Sequence, residues 1–318
     1  MKIKGEKNCK NLHISVLLQE LVDHIKIYED QQNIIVDCTL WMGGHAREIL
    51  KKLHKWDIFI WFDADTRNLD IVKPILQSEW WESWIKLFFI NDNFWNIRQN
   101  LIDLHISSIT GIYYDLGISS LHIDQAERWF SFQKDWPLDM RFDTRKWITA
   151  SQIVNTYTHT DLIRVFREYG EDSNAKRIAD EIIFQRKKAM KFTTTKQLAD
   201  LVEKISPFPQ TKSRIFQALR IETNKELVVI EKSIFDAINL LTKWWNIFII
   251  SFHSLEDRII KNIFRQESRD CICTDIICSC KHTKQLRIIT KKPLLPSQDE
   301  IRSNPRSRSA KARCAIKI

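Results

Sequence analysis

Asp37-Cys38-Thr39-Leu40-Trp41-Met42-Gly43-Gly44-His45 follows the short apolar run Ile34-Ile35-Val36 and precedes residues 46–53, where apolar side chains return at helical spacing. The order is that of a buried strand, a glycine turn and a helix N-terminus. A second apolar run, Ile58-Phe59-Ile60-Trp61-Phe62, closes on Asp63, twenty residues after Gly43. In doubly wound α/β folds a glycine turn lets the backbone approach an adenosine, and an acid at the end of the next strand takes the ribose hydroxyls. The turn is not G-x-G-x-x-G, so a pyrophosphate is not indicated. An ordinary βαβ turn with no ligand has the same local pattern.

Working outward, residues 13–20 open an amphipathic helix ahead of the sheet, and Thr66 is placed to cap a helix reaching about residue 77. Residues 85–90 read as a third strand leaving through Asn91-Asp92-Asn93-Phe94, and residues 111–115 as a fourth leaving through Leu116-Gly117-Ile118-Ser119-Ser120. Three strand ends thus carry Asp37, Asp63 and Asp115, where open α/β sheets bind ligands. The alternation then stops near Leu121. Residues 128–132 and 137–141 form a loop rich in aromatic and charged side chains. Residues 151–243 are helical throughout, with segments at 161–169, 173–187, 195–205 and 213–241, and read as an all-α insertion. Residues 246–251 return to strand and lead to His253, a candidate site residue that is as often structural in such a place. Residues 287–290 and 312–316 supply the last strands, read as an edge hairpin.

The chain has 318 residues, enough for one large or two unequal domains. No apolar run is long enough to span a membrane. Residues 1–10 are polar and charged, so no signal peptide is expected and the cytoplasm is the expected location. The net charge is +9, and residues 281–318 carry all of it, with 11 Lys+Arg against 2 Asp+Glu. Arg302, Arg306, Arg308, Lys311 and Arg313 crowd one stretch that suits a polyanion such as RNA, or simply a solvated basic end.

Glycine is scarce and tryptophan abundant: 6 against 12 in 318 residues, where glycine is ordinarily about 7%. Trp41 sits inside the glycine turn, Trp136 precedes Pro137, and Trp244-Trp245 falls between a helix and a strand, where glycines are chemically expected. These codons read as UGA translated as glycine by the source organism; the alternative is that tryptophan is genuine. Seven cysteines in a chain this long are not a secreted disulfide scaffold. Cys271, Cys273, Cys278 and Cys280 fall within ten residues, which suits tetrahedral zinc, although the spacing is C-x-C and free thiols or a disulfide are equally open.

These motifs, taken together, resemble the bacterial small-subunit rRNA (cytosine-N4) methyltransferases, the RsmH or MraW family. The matches are residues 13–20, 37–45, Phe62-Asp63-Ala64-Asp65, 115–120, 128–132, 135–141, 214–220, 251–258 and 304–309, nearly the whole chain in one order. The family has glycine where this chain has Trp41, Trp129, Trp136, Trp244 and Trp245. The resemblance implies an α/β class I (Rossmann-like) methyltransferase sheet with an inserted all-α domain. The sheet domain is expected at 1–123 and 244–318, and the substrate-recognition insertion at 124–243. It implies S-adenosylmethionine as cofactor, held by Gly43, Gly44, His45, Asp63, Phe94 and Asp115. A further contact, usually Gln, falls on His122, which still donates one hydrogen bond. Asp63-Ala64-Asp65 departs from the usual Asp-Arg-Asp and spares both acids. Asp115, Ser119, Asp139 and His253 are the expected catalytic or base-pocket residues, with Phe130 and Phe132 available to stack on a flipped base. The implied partner is small-subunit rRNA, within the assembled subunit. A non-catalytic ribosome-binding protein that keeps the fold, a nucleotide-dependent oxidoreductase, and a methyltransferase of DNA or protein are the competing readings.

Overall fold

The computed structural model describes residues 15–80, 84–117, 135–145, 148–273 and 279–318. The chain divides into two compact units, residues 1–117 with 228–318, and residues 118–227.

The first unit is built on a seven-stranded sheet: β1 (Ile34–Asp37), β2 (Ile58–Phe62), β3 (Lys86–Ile90), β4 (Ile109–Asp115), β5 (Leu241–Ser251), β6 (Leu286–Ile288) and β7 (Lys311–Lys317). The spatial order is β3-β2-β1-β4-β5-β7-β6. The first five strands are parallel and β7 runs antiparallel to both β5 and β6. The order reverses between β1 and β4, which makes their carboxyl ends the topological switch point.

Each central strand is apolar along its length because both faces of the sheet are covered. The period-two alternation of side chains assigns Val36, Ile60, Ile112, Tyr114, Ile247 and Ile249 to one core. That core is closed by Ile97 and Leu101 of α4 (Ile97–Asp103), by Ile230, Ile234, Ala237 and Ile238 of α10 (Glu226–Leu240), and by Ile260, Ile263 and Phe264 of α11 (Ser254–Glu267). The intervening residues Ile35, Phe59, Trp61, Tyr113, Phe248 and Ile250 face a second core, closed by α1 (Leu18–His24), α2 (Gly44–Leu50) and α3 (Thr66–Trp80). α3 starts with the Asp65 carboxylate accepting from the Arg67 amide at 3.0 Å, so Asp65 caps it in place of the expected Thr66.

Among its described residues the second unit is built of helices: α5 (Ala150–Thr156), α6 (His159–Glu168), α7 (Ala175–Lys187), α8 (Thr195–Ile205) and α9 (Pro209–Asn224). Its own core includes Phe166, Ile178, Phe192, Leu198 and Leu219, with Leu138 and Met140 of the preceding loop. Two capping boxes, Thr149 with Gln152 and Thr194 with Gln197, start α5 and α8.

Three further expectations need correction. The single helix expected over 213–241 is two, because Lys225 adopts the left-handed φ of 52° and closes α9. The unit boundaries fall at 117/118 and 227/228 instead of 123/124 and 243/244, because the apolar stripe of α10 packs on the sheet. The basic end is not a tail either. It contributes β7, paired on both sides, and β6 forms the sheet edge.

Candidate cofactor and catalytic site

The carboxyl ends of β1, β2 and β4 bring three acids to one edge of the sheet, all buried. Asp37 accepts from the Tyr113 hydroxyl at 2.8 Å and the Thr39 amide at 2.9 Å. Asp63 accepts from the Asn68 side-chain amide at 2.9 Å and the Asp65 amide at 2.8 Å. Despite these donors, burial pushes both carboxyls up to about 7. Asp115 differs: no hydrogen bond reaches its buried Oδ1, and Oδ2 lies 3.5 Å from His45 Nδ1. Burial, reinforced by the charges of Asp37 and Glu256, holds the Asp115 carboxyl well above the ordinary carboxylate range.

His45 sits in the first turn of α2 and is buried. Its Nε2 is 2.9 Å from the Val16 carbonyl, which can only accept, so Nε2 carries the hydrogen and Nδ1 is the atom turned to Asp115. In that tautomer Nδ1 is the acceptor atom of the ring, and it lies beside the Asp115 carboxyl. The glycine turn is sterically constrained at two positions. Gly43 has φ +70°, and a Cβ on Gly44 would collide with the Ser15 hydroxyl. Within the same turn Trp41, itself at φ 46°, donates from Nε1 to the Asp115 carbonyl at 2.7 Å.

At the end of β3, Asn93 caps a single 3-10 turn, Phe94–Asn96, by accepting from the Trp95 amide at 2.9 Å. The turn sets Phe94 edge-on to Tyr114 with ring centroids 5.5 Å apart. Asn91 donates to the Asp63 carbonyl at 3.0 Å and ties this loop to the neighbouring strand end.

His253 caps α11. Its Nδ1 accepts from the Glu256 amide at 3.4 Å, the Glu256 carboxylate accepts from the Phe252 and His253 amides, and His253 Nε2 lies 3.1 Å from Glu256 Oε1. The structure thus gives His253 a local structural task at the end of β5. Asp139 lies in the second unit, where Arg141 grips both its oxygens at 2.7 Å. Ser119, His122, Phe130, Phe132 and Cys278 lie outside the described residues. Glu256 and Tyr113 are the site residues that sequence reasoning passed over. Glu256 had a legible signal, the i, i+3 capping-box spacing after His253; Tyr113 had none beyond its place in a strand.

A buried acid with an oxygen that no protein donor reaches, beside a tight glycine turn, suits a ligand with amine or hydroxyl donors. Comparison with known proteins gives such a site its context. The family model of the MraW methylases matches residues 10–318. The chain belongs to the MraW methylase family. It is 44% identical over 314 residues to the ribosomal RNA small subunit methyltransferase H of Clostridioides difficile (strain 630), covering 96% of this chain and 99% of that one. The protein of the same name from Clostridium botulinum (strain Loch Maree / Type A3) is 41% identical over 313 residues, with 96% and 99% covered. That of Finegoldia magna is 42% identical over 315 residues, with 96% and 98% covered. As a methylase sheet, the first unit carries the expected cofactor residues Gly43, Gly44, His45, Asp63, Phe94 and Asp115 at or just beyond the carboxyl ends of β1 to β4.

Proposed function

We propose that this chain transfers a methyl group from S-adenosylmethionine to N4 of a cytidine in the decoding region of small-subunit (16S) rRNA. The observation that carries the reading is the switch-point row of buried acids with the Asp115 Oδ1 that no protein donor reaches, in a member of a methylase family. The name of the relatives supplies small-subunit rRNA as the substrate class.

In this reading Asp63 accepts the ribose hydroxyls, and Gly43 and Gly44 allow close backbone approach. Phe94 covers an apolar face, and Asp115 accepts from the cofactor through Oδ1 while its other oxygen lies beside His45 Nδ1. The sulfonium supplies an already activated methyl. The lone pair of cytosine N4 is delocalised into the ring, so the protein's contribution is to hold N4 in line with the methyl carbon and set acceptors where positive charge develops. Ser119, Asp139 and His253 are assigned to the base pocket, and the helical unit to substrate recognition. No helix among the described residues is long and apolar enough to cross a membrane. A cytoplasmic site of action on the assembled small subunit fits this reading.

One observation favours a second reading, a ribosome-assembly protein without turnover: the Trp41 indole reaches from the glycine turn to the Asp115 carbonyl. The test separates the two. Labelled methyl transfer to unmodified small subunits, with glycine at all twelve Trp positions, followed by digestion to nucleosides, is expected to give N4-methylcytidine. Cofactor binding without label would favour the assembly role. Wild-type turnover in Ser119→Ala, Asp139→Ala and His253→Ala alike would overturn the pocket assignment.

A further inference from the structure

We propose that Cys271, Cys273 and Cys280 bind a zinc ion that staples the segment between α11 and β6. Their three sulfurs all lie within 4.8 Å of one another, and those of Cys271 and Cys280 are 3.9 Å apart. Thiolates about 2.3 Å from a tetrahedral zinc stand about 3.8 Å from each other, whereas a disulfide closes to about 2.05 Å. The sulfurs are therefore spaced as ligands of one ion.

The backbone is arranged for thiolates as well. The Cys273 amide points to Cys271 Sγ at 3.4 Å, and the Ser279 amide to Cys273 Sγ at 3.4 Å. Such N–H donors favour the charged sulfur. Three soft ligands select zinc over magnesium or calcium and leave one coordination position for a further donor. The ends of the segment are already fixed: α11 finishes at Glu267, whose carbonyl accepts from the Gln285 amide at 2.8 Å just before β6. A metal between these ends closes the loop and orders the entry into β6.

The test uses the full chain purified without chelator. Elemental analysis is expected to find one zinc per chain, absent from Cys271→Ser and Cys280→Ser but retained by Cys9→Ser, with far-UV circular dichroism confirming that each variant is folded. Exchange for cobalt(II) should produce sulfur-to-metal charge-transfer absorption. Should a serine variant fail to fold, zinc uptake by the reduced wild-type chain against a chromophoric chelator decides alone. No zinc uptake, iron in its place, or zinc retained by both serine variants would overturn the site.

An independent set of observations concerns the tryptophans. We infer that the native protein carries glycine at the twelve Trp positions, encoded by UGA codons. Trp41, Trp56, Trp84 and Trp244 have φ of 46°, 75°, 60° and 72°, the left-handed region that bulky side chains avoid. Burial compensates for none of three of them, since Trp56, Trp84 and Trp244 are 53%, 62% and 60% exposed. Two more, Trp61 and Trp136, bury an indole N–H that has no hydrogen-bond partner. Peptide masses from protein purified out of the source organism are expected to show glycine at positions 41, 56, 84 and 244. Tryptophan masses at those positions would overturn the inference.

Discussion

Asp37, Asp63 and Asp115 share a side chain and a place at the strand ends, but their surroundings separate them. Asp37 and Asp63 are each gripped by protein donors and titrate near 7 against 3.8 for a free side chain. Between those values the folded chain binds more protons than the unfolded one, so stability falls as pH rises from about 4 to about 7 and levels off above. Each acid contributes at most about 1.4 kcal/mol per pH unit in that window. Denaturant midpoints measured across it are expected to fall more steeply for the wild type than for Asp37→Asn, whose side chain does not titrate. A residue-scale prediction of opposite sign attaches to Trp244, exposed at φ 72°. Trp244→Gly should stabilise the chain by about 1 kcal/mol through relief of the left-handed conformation, read from the same midpoints. The acids were legible as residues at strand ends. Their different titration was not, because it depends on burial and on Tyr113 and Glu256, which reach Asp37 and Asp115 only in three dimensions.

At the scale of elements, local signals and packing divide the explanation. α8 was legible to the residue, because Thr194 and Gln197 form a capping box around its first turn. Thr194→Ala is expected to cost about 1 kcal/mol in the unfolding of the helical unit. The break between α9 and α10 had no such signal: Lys225 is neither glycine nor asparagine, yet it takes the left-handed cap. β7 shows the reverse. Its basic composition suits a solvated end, but strand pairing on both sides carries Arg313 inward, where Asp257 holds it at 2.6 and 3.1 Å. Both side chains are nearly buried, at 9% and 13% exposure, so Arg313→Ala should destabilise the sheet by about 2 kcal/mol, leaving Asp257 to the more distant Lys311 at 3.8 Å.

Across the whole molecule, that ion pair sorts the positive charge of residues 281–318 into two kinds. Arg313 maintains the sheet, while Arg302, Arg306 and Arg308 are exposed, Arg302 alongside Asp299. Replacing these three with alanine is expected to leave thermal stability unchanged and to weaken binding to small-subunit rRNA. The salt dependence of log affinity should drop by roughly two units if all three meet phosphates, measured by filter binding over a salt series. Sequence alone determined the alternation of buried strands and helices, the glycine turn, the row of strand-end acids and the helical insertion. All of these are local patterns, set by side-chain periodicity and turn chemistry within a few residues. Only the tertiary structure decided that α10 belongs to the sheet, that β7 is an interior strand, that Asp115, beside His45, keeps an oxygen that no protein donor reaches, and that three cysteine sulfurs converge. Those outcomes depend on groups distant in sequence competing for the same buried space and the same hydrogen bonds, and a one-dimensional pattern does not record that competition.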